Sequence, residues 1–368
     1  MENISKKKLW FVLLAAALLA ASLISCLRKS AEPSRKVGVG RDTSDTSTSD
    51  TSETVDSDKN DESGAESTKE SESDGVEDSG KTDTKDKESG VTGEVTWSVE
   101  DGKYTYSFPE RPKVSAGEIS AMNDEPKTLF EDDSNEDWYF GKTTYDQTTG
   151  EVTYVWDRYQ STIDAVDNYN GIYRGDQSKK AVYLTFDCGY EYGTTSSLLD
   201  ILKEKNAPAT FFLTGDYVKS EDDLIKRMID EGHIVGNHTM NHKNMIHVTA
   251  EEFEEQLDSL SDLFAEKFPD AQPLRYFRPP EGAANEWVLK LADKLGYLTV
   301  MWSWAYYDYN TNDQPDPAAT LEKAKTALHP GCVYLLHAES TTNVAILGDL
   351  IDWIRSQGYE ILPLCDIK

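Results

Sequence analysis

Cysteine is scarce in this chain: four residues in 368, spread along its length. That is too few and too scattered for the disulfide framework of a small secreted scaffold. Cationic side chains are also in short supply, with 37 Lys and Arg against 67 Asp and Glu and a formal charge of −30. Nucleic-acid binding depends on Lys and Arg displacing phosphate counterions, so nucleic acid is excluded as a partner. Long apolar runs are missing beyond the first thirty residues, which excludes a multi-span membrane protein. Residues 31–95 lack aromatics altogether and hold 21 Ser and Thr. Such a segment cannot bury enough apolar surface to offset the entropy of ordering it, and it reads as a disordered acidic linker.

What is present begins with an address. Lys6, Lys7 and Lys8 precede an apolar run from Leu9 to about Ile24, the layout of an export signal. The run ends in Leu23-Ile24-Ser25-Cys26, which resembles a bacterial lipobox with Cys26 as the lipidated residue. An uncleaved anchor over Leu9–Leu27 and ordinary cleavage are the other readings. All three place the rest of the chain outside the cytoplasm; the lipidated and anchored readings hold it on the outer face of the cell membrane, facing the wall. The organisation expected is a signal or anchor over 1–27, a linker over 28–95, an irregular extension with short strands over 96–175, and a domain over 176–368. Within the extension, Thr96–Phe108 reads as two strands about a Glu-Asp-Gly turn and Gly150–Trp156 as another. A monomer is expected.

From Ala181 the pattern becomes regular. Short apolar runs (AVYLTF, ATFFLTG, HIVGN, YFRP, TVMWSW, CVYLLH, EILPL) alternate with helical periodicity. Phe253, Leu257, Leu260 and Phe264 fit one helix, and Val288, Leu291, Ala292 and Leu295 another. Ile346, Leu347, Leu350, Ile351 and Ile354 fit a third. About seven β-then-α units predict an α/β fold with a parallel sheet, either a closed or distorted barrel or an open doubly wound sheet.

In a parallel βα architecture the working residues gather at the C-terminal strand ends. Here those ends carry Asp187-Cys188, His238 to His242, Arg278-Pro279-Pro280, Asp308-Tyr309 and Leu336-His337. His238 and His242, four apart, suit one side of a helical turn and a divalent metal. Cys188 is either a third, thiolate ligand, which favours zinc, or a small buried hydrophobe. Asp187 is either a base or a ligand. His233, His247 and His329 read as structural. Cys332 and Cys365 read as two buried thiols, with pairing the alternative.

The motifs TFDCGYE (185–191), HTMNH (238–242), FRPPEG (277–282), WSWAYYDY (302–309) and LLH (335–337) resemble, in this order, the NodB-type polysaccharide deacetylases, carbohydrate esterase family 4. The form of the first motif is most similar to the muramic acid deacetylases that prepare δ-lactam in spore cortex peptidoglycan. The resemblance implies a distorted (β/α) barrel over about 175–368 and metal-dependent removal of N-acetyl groups from amino sugars, with peptidoglycan glycan strands as the partner. It implies Asp187 as general base, His238 and His242 as metal ligands, Arg278 as the partner that keeps the base ionised, His337 as general acid, and Asp308 as its orienting carboxylate. Backbone N–H groups near Pro280 and Glu281 would meet the oxyanion, and Tyr309 and Leu335 would contact substrate. Three positions depart from the family pattern: Cys188 stands where an Asp ligand is usual, Ala305 where a carboxylate is common, and Tyr309 where a Trp is usual. The readings that follow are a muramic acid deacetylase, an N-acetylglucosamine deacetylase of the wall, and an inactive wall-binding module.

Overall fold

The computed structural model describes residues 95–130 except Asp101, the strands at 142–145 and 152–155, and residues 160–368. All belong to the unit Lys81–Lys368. The signal or anchor, Cys26 and the linker as far as Glu94 lie outside the described residues. No described helix is long and apolar enough to cross a membrane.

The extension contributes β1 (Thr96–Glu100), β2 (Lys103–Ser107), α1 (Ala116–Ser120), β3 (Lys142–Tyr145), β4 (Val152–Val155) and α2 (Gln160–Asn168). β1 and β2 form an antiparallel hairpin about the expected turn, where Gly102 takes a φ of 79°. β3 and β4 form a second one. The alternating units follow as β5 (Ala181–Cys188), α3 (Thr195–Glu204), β6 (Ala209–Leu213), α4 (Gly215–Ser220), α5 (Asp222–Asp230) and β7 (Ile234–Asn237). They continue with α6 (Ala250–Lys267), β8 (Tyr276–Phe277), α7 (Glu286–Lys294), β9 (Leu298–Thr299), α8 (Pro317–Thr326), β10 (Cys332–His337), α9 (Thr341–Ser356) and β11 (Glu360–Ile361).

β5 to β11 make one seven-stranded parallel sheet in the order β10-β5-β6-β7-β8-β9, with β11 on the start of β5. Its two edges meet. A single parallel bridge joins Trp304 to Tyr334, and the Leu335 N–H donates to the Trp304 carbonyl at 2.9 Å. The sheet is therefore curled into a distorted barrel, and the open doubly wound alternative does not occur. β9 stops at Thr299, short of the expected run to Trp304. The next two carbonyls, of Val300 and Met301, are taken by the Arg278 guanidinium at 3.1 and 3.3 Å, which diverts them from a strand ladder.

Every residue of β5 is buried, as a strand covered on both faces requires. Val182, Leu184, Phe186 and Cys188 pack with Leu198, Leu202, Leu347 and Leu350 from α3 and α9. Ala181 and Tyr183, on the opposite face, join a second core with Phe212, Val333 and Leu335 that runs on to α6 and α7. Side-chain oxygens of Thr249, Asn285 and Ser340 cap α6, α7 and α9 by accepting from the third residue on.

The extension closes the N-terminal end of the barrel. Tyr106 Oη donates to the Gly232 carbonyl at 2.6 Å, just before β7. Arg111 donates to the Leu295 carbonyl at 3.0 Å and to Tyr297 Oη at 2.7 Å, just before β9. Trp287 Nε1 donates to the Met122 carbonyl, and Phe108 meets Tyr276 edge to face. Ile119 and Met122 are buried in the second core. The far end of the barrel is left open.

Candidate active site

At that open end lies a cavity of about 670 Å³, lined among others by Asp187, His238, His242, Glu281, Leu335 and His337. Strand register places two of these side by side: Asp187, one residue before the end of β5, lies opposite His337, which ends β10. Period-two alternation directs Asp187 away from the helix layer that takes Phe186 and Cys188.

Arg278 anchors the site from the end of β8 and is completely buried. It donates to Asp187 Oδ1 at 2.7 Å and Thr185 Oγ1 at 2.9 Å, besides the two carbonyls. Its plane lies over the Phe212 ring at 4.2 Å. Burial alone would raise the Asp187 carboxyl; the Arg278 charge, with the imidazoles of His238 and His337, outweighs it and holds Asp187 below the usual carboxylate range. An ionised carboxylate is thus kept in a site largely shielded from water.

His337 is braced at two points. Asp308 Oδ1 accepts from its Nδ1 at 2.7 Å, and Oδ2 accepts from its backbone N–H at 2.8 Å. Burial opposes charge on the imidazole, but the Asp308 carboxylate overrides it and raises the pKa to about 9. Asn343, in the first turn of α9, donates to Asp308 Oδ2 at 2.7 Å and to the His337 carbonyl at 2.9 Å. Tyr306 Oη donates in turn to the Asn343 side-chain oxygen. Sequence reading missed Asn343 and Thr185. The signal available for Asn343 was the capping sequence from Ser340, which fixes where the first turn of α9 points.

His238 and His242 are together, with ring centroids 4.9 Å apart. They are not on a helical turn. The chain from His238 to Thr249 is a loop in which Thr239 and His242 adopt φ of 67° and 52°. It is held by Asn237 Oδ1 accepting from the Thr239 N–H and by Gln256 accepting from both Met240 and Asn241. Glu281 also has a positive φ, 62°. The other non-glycine residues in this region of backbone space are Asn170 and Asn206, among the described residues, and Asn tolerates it best. Among the described residues, positive φ in residues other than Asn and Gly thus occurs in the loops of the cavity.

His238 Nδ1 faces the Arg278 carbonyl at 2.8 Å and must donate to it, so Nε2 bears the lone pair and points at Asp187 Oδ2, 3.5 Å away. Burial lowers its pKa to about 4, leaving it neutral. That is the preparation expected of a ligand, but the set is not completed. Cys188 is the correction: its side chain turns into the layer between β5 and α3, it does not line the cavity, and burial raises its thiol well above the usual range. No group of three or more His, Cys, Asp or Glu side chains suited to a metal occurs among the described residues. The donors do not fit a catalytic zinc site with three protein ligands.

Of the remaining expected residues, Tyr309 lines the cavity with its ring 5.4 Å from His337, and Leu335 forms part of the floor. Pro280 is buried in a short 3₁₀ turn and has no N–H to offer. The Gly282 N–H donates to Pro279, so the Glu281 N–H is the donor that turn can present. His233 and His329 are buried outside the cavity on backbone and serine partners, and His247 is exposed. Cys332 and Cys365 are buried free thiols.

A curled parallel barrel thus brings the Asp187–Arg278 pair and the His337–Asp308 pair to one open cavity. The sequence of residues 174–300 matches the family described as polysaccharide deacetylase. The chain is 41% identical over 202 residues to the peptidoglycan-N-acetylmuramic acid deacetylase PdaA of Bacillus subtilis, covering 55% of this chain and 76% of that one. It is 33% identical over 193 residues to a peptidoglycan-N-acetylglucosamine deacetylase of Bacillus cereus, covering 52% and 89%. The solved structure of Bacillus subtilis PdaA, a family 4 carbohydrate esterase, superposes with a TM-score of 0.56 at 36% identity, over 63% of this chain and 95% of that one. The chain belongs to the polysaccharide deacetylase family, carbohydrate esterase family 4, and is a hydrolase of polysaccharide amide bonds.

Proposed function

We propose that the protein removes N-acetyl groups from amino sugars of peptidoglycan, N-acetylmuramic acid in particular, as in δ-lactam formation in spore cortex. The observation that carries this reading is the pairing at two neighbouring strand ends: Asp187 with Arg278 on β5, His337 with Asp308 on β10. Water attacking an acetamide must lose a proton, and the amine that leaves must gain one. Asp187, ionised, accepts the first proton. His337, charged, delivers the second from Nε2, because Asp308 engages Nδ1. The carbon–nitrogen bond breaks, and acetate and a free amino sugar result. The Glu281 N–H would meet the developing oxyanion.

The family resemblance brings a divalent metal, zinc in the first reading, with His238 and His242 as its ligands. Cys188 leaves that set incomplete, so no step here passes through a metal. The proposal extends to the whole chain: a monomer held outside the cytoplasm by residues 1–27, with 28–95 as a tether and 176–368 as the catalytic domain.

A second reading, an N-acetylglucosamine deacetylase of the wall, is favoured by Asp216 and Glu281 around the cavity, since carboxylates do not welcome the lactyl carboxylate of muramic acid. An inactive wall-binding module has no use for an acid–base pair. Mass spectrometry of purified peptidoglycan fragments incubated with the full-length protein in detergent tests these readings. Loss of acetyl from muramic acid is expected; loss from glucosamine alone favours the second reading, and no loss at all favours the binding module.

A further inference from the structure

One buried acid in the cavity is left without a role by the mechanism. Glu339 follows His337 by two residues, in the turn between β10 and α9, and is only 5% exposed. It lines the same cavity as Asp187, His238 and His337. Its Oε2 is shielded from solvent and has no hydrogen-bond partner. A carboxyl oxygen stranded in this way costs on the order of 1–3 kcal/mol, more when charged. Asp308 and Asn343 already brace His337, so Glu339 is not needed to hold the imidazole.

We infer that Glu339 is a specificity-determining residue of this site, its carboxyl hydrogen-bonding the ring substituent next to the reacting amide; the inference rests on the deacetylase reading above. The leaving nitrogen must lie at His337 Nε2. Groups on the ring carbons that flank it are then one or two bonds away, within reach of a side chain two residues further along. One of these groups is a hydroxyl in N-acetylglucosamine and a lactyl ether in N-acetylmuramic acid. Burial, partly offset by the charge of His337, raises the Glu339 carboxyl to about 7. Near neutrality a large share of it therefore carries the proton and offers an O–H donor, which a lactyl carboxylate accepts, whereas an ionised Glu339 would repel that group. A site that hydrogen-bonds a substrate group discriminates strongly against analogues lacking it, because its own buried group is then unpaired.

Steady-state kinetics of acetate release on two substrates test this: muramic-acid-containing peptidoglycan fragments and an oligomer of N-acetylglucosamine. For Glu339→Ala the expected result is a KM about tenfold or more higher on the preferred substrate, a kcat changed less than about threefold, and a changed ratio of kcat/KM between the two substrates. Glu339→Gln, which keeps a donor and an acceptor, should restore most of the lost KM. Glu339→Met fills the same space without polar atoms and replaces Ala if the smaller side chain lowers the melting temperature. A KM within about twofold of wild type on both substrates in the Ala or Met variant overturns the inference. So does an equal fall in kcat on both substrates with KM intact, which would place Glu339 behind His337 rather than against the sugar. Wild-type protein that releases acetate from neither substrate overturns the deacetylase reading, and this inference with it.

Discussion

The two ends of the barrel are built on opposite terms. At the N-terminal end the extension is bonded to what it covers: Tyr106 and Arg111 donate to carbonyls, Trp287 donates to Met122, and Ile119 and Met122 fill the core. At the C-terminal end Arg278 and Asp187 are buried charges, Thr239, His242 and Glu281 are strained, and Glu339 has a stranded oxygen. One end holds the fold and the other holds chemistry at the expense of local stability. The difference teaches where a substitution should be felt, and in which measurement.

The largest effects belong to the open end. Asp187→Asn and His337→Ala should each lower kcat/KM for acetate release by roughly two to four powers of ten, the usual worth of one positioned proton acceptor or donor. Near-normal turnover in His337→Ala would remove it as the acid. Arg278→Met should also cost about 3–5 kcal/mol of stability in denaturant unfolding, because it leaves a buried Asp187 charge unpaired. An unchanged unfolding midpoint would show that water reaches the carboxylate.

Next in size is the pH dependence. His337 has its pKa raised to about 9, so kcat/KM should fall on an alkaline limb near that value. Asp308→Asn should move this limb to lower pH, since the imidazolium loses its compensating charge. The same linkage acts on stability. The contribution of His337 is complete below its ordinary pKa and disappears as pH rises through about 9. Asp187, held low, contributes above its ordinary pKa and loses that contribution as pH falls further into acid. Thermal melts of wild type and Asp308→Asn at pH 7 and pH 10 should therefore differ more at the lower pH.

The covered end should respond in the reverse sense. Arg111→Ala removes bonds to Leu295, Tyr297 and Asp258. It should lower stability by about 1–3 kcal/mol while leaving kcat/KM within about twofold at temperatures well below the transition. A tenfold fall in turnover would break the comparison between the two ends. Smallest of all, Cys188→Ala should cost about 1 kcal/mol as a core truncation and leave metal content and kcat/KM as in wild type. Elemental analysis showing metal in the wild type and none in this variant would return Cys188 to the cavity.

Much of this arrangement was legible beforehand. Charged and imidazole residues at the ends of apolar runs stand out because packing alone gives no reason for them there, and Asp187, Arg278, His238 and His337 all meet in the structure. Of the two readings of Cys188, the metal ligand fails and the small buried hydrophobe holds. Alternation along β5 sends adjacent residues to opposite faces, and Val182, Leu184 and Phe186 already marked the face that Cys188 shares. Spacing of four predicts a helical turn for the histidine pair, and a strained loop accommodates the same spacing. Asn343 and Thr185 are invisible for a different reason: each owes its place to a partner far along the chain. The packing of the extension under the barrel was likewise beyond a local pattern, since Tyr106 and Gly232 are 126 residues apart.

The seam that closes the barrel runs through the acid itself. Trp304 and Leu335 make the bridge, and a few residues further on Asp308 and His337 repeat it with side chain on backbone. The clasp of the cylinder is thus also the part to which the proposed mechanism assigns delivery of the proton. Weakening Asp308 should loosen closure as well as retune an imidazole, and faster amide hydrogen exchange at Leu335 and His337 would report it on the same protein whose pH profile has moved.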